Sequence, residues 1–394
     1  MNLSFTKEEI EFRNEVRSFF ATAMPEDMRK RVLNGQKPTK EDLVSWHQIL
    51  DQKGWAVPSW PKRWGGTGWN AIRHYIFNEE LLQAPALAPL PHVNQVGAVI
   101  LSQGTDEQKQ RFLPKLRNLE WWPCQGFSEP GSGSDLASLK TRAERQGDCY
   151  LVNGQKVWTS QAHRSDWMYT LVRTGSGSRK QEGISYLLID LKSPGITVRP
   201  IETIDSFHHF NEVFLNDVRV PVENRLGEEN KGWAYAKHTL GHERVILAGV
   251  GLCKYRIRAA KNILAEGNFS TEFKERLHEK LALLEVQVKA MEMTTMRVIS
   301  EIENEAHAMD AKPSILKLKG SDLQQETLEV LLELAGPEAM RRQAEFYGSR
   351  SESVLGDEWI ATAAPAYFYA RAASIYGGSS EIQKNIIAKR VLSL

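Results

Sequence analysis

The chain has little of what marks several large classes of protein. Cysteine occurs only at Cys124, Cys149 and Cys253, without a Cys-x-x-Cys spacing, which argues against a disulfide framework, a zinc ribbon or an iron-sulfur cluster. No apolar run approaches the roughly 20 residues needed to span a bilayer. The N-terminus has neither the apolar core of a signal peptide nor an Arg-rich transit pattern. These absences predict a reducing, cytoplasmic location and no membrane anchor.

An excess of charge of one sign is also missing. The 394 residues carry 50 Lys and Arg against 49 Asp and Glu, a formal net charge of +1, so no global field would hold the protein on nucleic acid or an anionic membrane. The histidines at 163, 208, 209 and 242 show no metal-ligand spacing. We predict that the His208-His209 pair lies on a loop. No metal and no nucleic-acid partner are expected.

What is present divides the chain into three parts. Residues 1–121 show helical periodicity, residues 122–229 consist of short β-branched and aromatic runs, and the helical period returns over residues 230–394. With 41% hydrophobic residues, the chain can bury a sizeable core. The order predicts an α+β fold of two or three closely packed domains.

Short sequence patterns predict the positions of one helix, one hairpin and two further strands. Thr6 and Glu9 form a capping-box pattern that predicts an N-terminal amphipathic helix. Asn153-Gly154 lies between two β-rich runs and predicts a two-residue hairpin turn. Two further strands are predicted at 184–191 and 211–221.

Two glycine- and serine-rich segments could bind a ligand. The segment from Ser128 to Asp135 reads Ser-Glu-Pro-Gly-Ser-Gly-Ser-Asp, and its small residues would let backbone amides approach a flat or phosphorylated ligand. Near the C-terminus, Tyr376-Gly-Gly-Ser precedes a helix in which Ser380 and Gln383 suggest a capping box. Taken alone, each segment is better interpreted as an ordinary turn.

A third signal is a carboxylate on an apolar helix face. A helix here would place Glu243 on the same side as Trp233, Leu240 and Leu247. Burial would raise the pKa of this carboxyl toward the range of a general base. A buried ion pair is the competing interpretation, although Arg244 points to another side of the helix.

In this order and spacing, the three segments resemble the acyl-CoA dehydrogenase family, and the likeness extends from the first helix to Val391-Leu392. Within the family the sequence looks most like the large subunit of pimeloyl-CoA dehydrogenase and related bacterial enzymes. The resemblance implies an N-terminal helical domain, a middle β barrel-like domain and a C-terminal four-helix bundle. FAD would lie between the last two domains and a neighbouring subunit.

The resemblance also assigns roles to individual positions. It implies that the cofactor contacts are Gln125, Phe127, Ser128, Gly133, Ser134, Trp158, Ser160, Ser379 and Glu381. Trp158 would lie against the isoalloxazine ring, and Ser160 would hydrogen-bond flavin N5. The substrate contacts would be Ser134, Arg244 and Gly377.

The sequence departs from the commonest family pattern at Gly377. Many relatives have their catalytic glutamate there, whereas this chain has none. Glu243 falls where the isovaleryl-CoA and long-chain types carry their base, which makes it the expected catalytic base. Glu381 is its rival, but the start of a helix favours a capping or cofactor contact for that residue.

A second departure concerns the subunits. The Arg-x-x-Phe-Gly segment that reaches the FAD of the adjoining subunit in relatives is missing near Asn262 to Leu281, and Ala335-Gly-Pro-Glu replaces a Gly-Gly-x-Gly. The expected assembly is a homo-oligomer or a heteromer. A heteromer with a paired acyl-CoA dehydrogenase subunit would supply the missing part of the site.

The expected activity is α,β-dehydrogenation of an acyl-CoA to a trans-2-enoyl-CoA, as in fatty acid or dicarboxylate degradation. The family implies that electrons pass to an electron-transfer flavoprotein. Two alternatives stay open: an oxidase or flavin monooxygenase on the same fold, and a non-catalytic subunit that completes its partner's FAD site.

Overall fold

The computed structural model describes residues 5–33, 36–84, 86–237, 248–303, 312–341 and 357–394. Six helices come first in the chain. They are α1 (Lys7–Thr22), α2 (Glu26–Leu33), α3 (Lys40–Lys53), α4 (Ala71–Gln83), α5 (Pro91–Gln103) and α6 (Asp106–Arg117). The predicted capping box at the start of α1 is confirmed, because the Glu9 amide donates to Thr6 Oγ1 at 3.2 Å and the Thr6 amide donates to the Glu9 carboxylate at 2.7 Å.

The middle of the chain forms one eight-stranded sheet. Its strands are β1 (Pro123–Gly126), β2 (Arg142–Gln146), β3 (Cys149–Ser160), β4 (Trp167–Arg173), β5 (Ile184–Asp190), β6 (Ile196–Glu202), β7 (His208–Pro221) and β8 (Arg225–Leu226). The spatial order is β6-β7-β3-β2-β4-β5-β8, and β1 pairs with β4 in parallel. The strands predicted at 184–191 and 211–221 are confirmed as β5 and the main part of β7.

The hairpin predicted at Asn153-Gly154 is wrong. Strand β3 continues through both residues, and the chain turns instead at Gly147-Asp148, between β2 and β3. The register against β7 shifts at Gly154, which marks a bulge. A Cβ there would lie 2.4 Å from Thr141 Oγ1. This position therefore requires glycine because the Thr141 segment approaches β3 closely, and not because the chain turns here.

Five further helices follow within the described ranges. They are α7 (Val250–Glu266), α8 (Thr271–Glu303), α9 (Lys312–Ala335), α10 (Glu358–Ala370) and α11 (Ser380–Val391). Helices α7, α8 and α9 share an apolar core that includes Leu277, Met291 and Leu323. The predicted order of helices, strands and helices, and with it the α+β class, is confirmed. Within the described ranges, none of the helices is long and apolar enough to cross a membrane.

The three parts of the fold are packed against one another. Residues of α5 and α6, such as Val96 and Phe112, share a core with Tyr169 and Leu188 of the sheet. On the other side, the Lys254 ammonium of α7 lies 3.2 Å from the Glu79 carboxylate of α4 and 2.5 Å from the Glu292 carboxylate of α8. The site described below therefore sits on a scaffold held by apolar and ionic contacts.

Gly97 in α5 offers a test of this packing. A Cβ at this position would lie 2.2 Å from Cζ2 of the buried Trp60 indole. Gly97→Ala gains roughly 1 kcal/mol of helix propensity, but overpacking costs about 1–3 kcal/mol, so we expect net destabilisation by denaturant unfolding. Ala98→Gly at the next, half-buried position should cost about 1 kcal/mol from propensity alone. A stabilised Gly97→Ala variant would show that Trp60 moves aside freely.

Candidate active site

A bulge in β3 presents an aromatic ring at the edge of the sheet. The pairing of β3 with β7 shifts register between Lys156 and Thr159, and Trp158 within this stretch has φ +59°. A positive φ is uncommon for an aromatic residue and marks a functional constraint or strain. The Trp158 side chain is 57% exposed, and its ring meets the Phe210 ring edge-on at 6.0 Å. The bulge thus provides an open aromatic face that a flat ring can cover.

A buried ion pair holds the Ser128–Asp135 segment against β3. The Glu129 carboxylate accepts hydrogen bonds from the Lys140 amide at 2.6 Å, the Thr141 amide at 2.9 Å and the Lys156 ammonium at 2.8 Å. Lys156 is fully buried and also donates to the Leu171 carbonyl at 2.7 Å. The carboxylate therefore ties the segment to the strand that carries Trp158.

Burial acts on both partners of this pair. It would raise the pKa of Glu129, but the Lys156 charge and the hydrogen bonds from Lys156, Thr141 and Lys140 lower that pKa below its ordinary value. Burial lowers the pKa of Lys156 to about 8, against the attraction of Glu129. Both groups are therefore charged at neutral pH. Sequence reasoning missed the pair, although a lysine inside a β-rich run was a signal that it needs a buried anion.

Ser128 lies next to the bulge that carries Trp158. The Val157 amide donates to the Ser128 carbonyl at 3.0 Å, so the first segment and the bulge are joined directly. Ser160 is half-buried and pairs with Phe210 across the strands. Gly133 and Ser134 are exposed on the loop.

The residues present fit FAD. Gln125 of β1 has a buried side-chain amide nitrogen with no hydrogen-bond partner, and Gln161 after β3 has a buried amide oxygen in the same condition. Unpaired buried amide groups are costly unless a ligand or water satisfies them. A flavin offers both an aromatic face for Trp158 and a polar heterocyclic edge for such groups.

Phe127 can contribute only its backbone to a ligand. Its ring is buried in the core, with ring centroids 5.8 Å from Tyr169 and 5.9 Å from Tyr186. Its carbonyl accepts a hydrogen bond from the Lys156 ammonium at 3.3 Å. The backbone amide remains the group through which Phe127 could meet a cofactor.

The C-terminal segment forms a left-handed glycine turn before α11. Gly377 has φ +65° and Gly378 φ +87°. The predicted capping box of Ser380 and Gln383 is wrong: the N-cap is Ser379, whose Oγ accepts from the Ile382 amide at 3.4 Å. Gln383 is committed elsewhere, because its side-chain amide donates to the carbonyls of Gly377 and Gly378 at 3.3 and 3.1 Å.

The backbone of Gly377 and the side chain of Glu381 are both exposed at this turn. Within the described ranges, the backbone N–H of Gly377 donates to no protein acceptor. Glu381 is exposed in the first turn of α11, where hydrogen bonds from its own amide and from Ser379 lower its pKa. The segment therefore offers the Gly377 N–H, which has no acceptor among the described residues, and the ionised Glu381 carboxylate.

An aromatic bridge connects the two halves of the site. Tyr369 of α10 stacks on Phe210 with ring centroids 6.3 Å apart and planes 8° apart, and Phe210 in turn meets Trp158. No hydrogen bond or ring contact in the described part of the chain links residues 377–381 directly to Ser128 or Trp158. The structure thus joins Ser128 to the Trp158 bulge. The α10 helix, which precedes the glycine turn, contacts this bulge through Tyr369 and Phe210.

The histidine pair was wrongly assigned to a loop, because His208 and His209 begin strand β7. His163 stacks on His208 at 3.9 Å, and the Asn211 amide lies between them, 2.7 Å from His208 Nε2 and 3.3 Å from His163 Nδ1. Burial and the neighbouring His208 lower the pKa of His163 to about 4. Within the described ranges, no group of three potential ligands could hold a metal ion.

The predicted base Glu243 and its neighbour Arg244 lie outside the described residues. The chain enters this stretch after Lys237 and leaves it at Ala248. Ala248 is buried against α9, where a Cβ on Gly320 would lie 2.5 Å from the Ala248 carbonyl oxygen.

A helical–sheet–helical fold with an aromatic face and unpaired amides at the sheet edge fits a flavin-dependent oxidoreductase. Comparison with known families makes the assignment specific. Acyl-CoA dehydrogenase N-terminal, middle and C-terminal domains match residues 6–120, 124–218 and 230–392. The chain belongs to the acyl-CoA dehydrogenase family, and its activity is FAD-dependent oxidation of an acyl-CoA.

Relatives of known sequence or structure match almost the entire chain. Acyl-CoA dehydrogenase IpdE1 of Mycobacterium tuberculosis is 35% identical over 393 residues, covering 98% of this chain and 97% of that protein. The crystal structure of the ChsE4-ChsE5 complex from M. tuberculosis matches with a TM-score of 0.84 and 31% identity, covering 100% of this chain and 99% of that one. A steroid acyl-CoA dehydrogenase, Tcur3481-Tcur3483, also matches with a TM-score of 0.84, at 27% identity, covering 100% and 99% of the two chains.

Proposed function

We propose that the enzyme removes two hydrogens from the α and β carbons of an acyl-CoA, with Glu243 as the base that takes the α-proton. The observation that carries this proposal is the replacement of the usual base by Gly377 in a chain that keeps the Ser128–Asp135 segment, together with a carboxylate at the alternative position, Glu243. A carboxylate is a suitable general base because burial can raise its pKa toward neutrality. The product would be a trans-2-enoyl-CoA.

The cofactor would be held by the residues already described. Trp158, Ser160, Gln125 and the Ser128–Ser134 segment would contact it from the sheet side, and Ser379 and Glu381 from α11. When bound, FAD supplies the acceptor for the β-hydrogen as a hydride. The chain contributes the flat aromatic face, the unpaired amides and the ion pair that fixes the loop.

The Gly377 N–H is suited to stabilise the charge that develops as the α-proton leaves. An α-proton is poorly acidic, so the thioester oxygen must receive hydrogen bonds as it gains negative charge. The left-handed φ of Gly377 and the absence of an acceptor for its N–H among the described residues support this role. Arg244 and Ser134 are proposed as further substrate contacts, with Arg244 positioning the coenzyme A moiety.

We further propose that the working enzyme is a heteromer with a paired acyl-CoA dehydrogenase subunit. Two similar structures are named as pairs, ChsE4-ChsE5 and Tcur3481-Tcur3483. The stretch that should reach a neighbour's FAD lacks the Arg-x-x-Phe-Gly of relatives, and Phe269 and Phe273 stack on each other there at 5.1 Å. The name of the second pair makes steroid acyl-CoAs a substrate class to include in any panel.

The reaction is tested by mass spectrometry of the product. The enzyme is incubated with acyl-CoA and either a one-electron dye or an electron-transfer flavoprotein. We expect a product 2 Da lighter than the substrate, with incorporation of deuterium at the α carbon of residual substrate in D₂O. Unchanged substrate with every acceptor would contradict the proposal. Sustained peroxide production without an added acceptor would identify the alternative, an oxidase.

The second alternative is a subunit that only completes its partner's FAD site. It predicts that substitution of Glu243 leaves the heteromer fully active. Loss of activity in a heteromer that carries Glu243→Gln and still binds FAD would exclude it.

A further inference from the structure

Lys317 is a buried cation that has no ion-pair partner among the described residues. It lies in α9 and is 1% exposed. Burial lowers its pKa, and the charges of Asp322 and Glu381 oppose that shift without forming an ion pair with it. A buried charge without a counterion is expensive unless hydrogen bonds or function offset it. Its position therefore calls for an explanation.

Among the described residues, the ammonium donates a hydrogen bond to the Ala373 carbonyl. Lys317 Nζ donates to the Ala373 carbonyl at 2.6 Å, and Ser321 Oγ, one turn further along α9, donates to the same oxygen at 2.9 Å. Side chains four residues apart lie on one helix face. Both donors of α9 are thus directed at the turn that precedes the glycines.

The Ala372–Ala373 region sets the path of the glycine turn. The amides of Ile375 and Tyr376 both donate to the Ala372 carbonyl, at 2.9 and 3.0 Å. The Lys317 ammonium lies 5.9 Å from the centroid of the Tyr376 ring. Downstream, the Gln383 amide holds the carbonyls of Gly377 and Gly378. The turn is fastened at both ends, while the N–H of Gly377 is left without an acceptor in the described ranges.

We propose that Lys317 is a positioning residue for the substrate thioester: its ammonium holds the Ala373 carbonyl, and through it the Tyr376–Gly378 turn, so that the Gly377 N–H points at the thioester oxygen. The positive charge beneath the turn also favours negative charge on that oxygen. This inference rests on the proposed function, in which Gly377 donates to the developing enolate.

The test uses the FAD-loaded enzyme, with its paired subunit where FAD binding requires one, and compares Lys317→Met, Lys317→Arg and Ser321→Ala. Lys319→Met is the matched control, because Lys319 is exposed on the same helix. A 3-thiaacyl-CoA can lose its α-proton but is not dehydrogenated, and its deprotonation in the site is followed by a long-wavelength absorbance band. The measured quantities are the pH midpoint of this band, the rate of anaerobic flavin bleaching by substrate, KM, FAD content and Tm.

We expect Lys317→Met to raise the midpoint by about one pH unit and to slow bleaching by about 10- to 100-fold, with little change in KM. Lys317→Arg should restore part of both, and Ser321→Ala should shift them in the same direction by less. Lys319→Met should match the wild type. A merely structural lysine would lower Tm and FAD content without moving the midpoint.

Unchanged midpoints and rates in folded Lys317→Met would overturn the inference. If Lys317→Met does not fold, Ser321→Ala decides it, since that change removes only a hydroxyl, which contacts the Ala373 carbonyl at 2.9 Å and the Lys317 backbone carbonyl at 2.8 Å. A wild-type enzyme that shows neither the band nor bleaching would instead refute the proposed function, and the inference would fall with it.

Discussion

Glu243→Gln is expected to lower turnover by about 10²- to 10⁴-fold while FAD remains bound, because the amide cannot accept the α-proton. The shape of the side chain is nearly unchanged, so the loss should fall on kcat rather than on KM. Stopped-flow bleaching of the flavin by acyl-CoA measures the effect without interference from the electron acceptor.

Two comparisons make this result decisive. Glu275→Gln changes an exposed carboxylate of α8 and should leave the rate unaltered. Glu381→Gln tests the rival base, and we expect at most a modest change in FAD affinity from it. If Glu381→Gln abolishes bleaching with FAD still bound and Glu243→Gln does not, the base has been assigned to the wrong glutamate.

Breaking the Glu129–Lys156 pair should cost the protein about 3–5 kcal/mol of unfolding free energy, because a buried charge is left without its partner. We expect this for Glu129→Gln and for Lys156→Met, measured by urea unfolding, together with loss of FAD, since the loop and the Trp158 bulge are joined through the pair. The double variant should be less unstable than the two single effects combined.

A surface pair supplies the control for this prediction. The Glu182 carboxylate lies 3.0 Å from the exposed Arg179 guanidinium, and Glu182→Gln should change the unfolding free energy far less than Glu129→Gln does. Equal effects of Glu182→Gln and Glu129→Gln would contradict the importance assigned to the buried pair.

The buried Glu129–Lys156 pair also predicts that the stability of the protein depends on pH. Because the folded pKa of Glu129 is lowered, its contribution is fully present above the pKa of the unfolded chain, near 4.5, and is lost as the pH falls through the folded value. In acid, the stability of the wild type should therefore fall toward that of Glu129→Gln. Parallel stability curves for the two proteins across that range would count against this assignment.

The sequence predicted the element order because periodicity and capping are local. Thr6 and Glu9 act over three residues, so their pattern determines the first helix whatever surrounds it. The turn predicted from Asn153-Gly154 is wrong because Gly154 lies in a continuous strand, where the nearby Thr141 leaves no room for a side chain. The conformation at Gly154 is set by its tertiary contact with Thr141, and local sequence patterns do not predict that contact.

The candidate site shows the same division. The Ser128 segment and the Gly377 turn could be picked out as candidates, because runs of small residues are visible in the sequence, whereas Trp158 was assigned only by the family resemblance. Lys156 and Lys317 were missed, since each becomes meaningful only through an acceptor far away in the chain, Glu129 or the Ala373 carbonyl. The family resemblance supplied the role of FAD, which residue physics alone had left open.

The most direct test of the central claim is the visible spectrum of the purified protein under anaerobic conditions, before and after addition of acyl-CoAs. The panel should contain linear, dicarboxylic, branched and steroid-side-chain acyl groups, and the chain should be measured alone and with a paired subunit. The account predicts a bound flavin that one class of acyl-CoA bleaches, in a reaction that Glu243→Gln prevents. A flavin that no acyl-CoA bleaches in either preparation would contradict it.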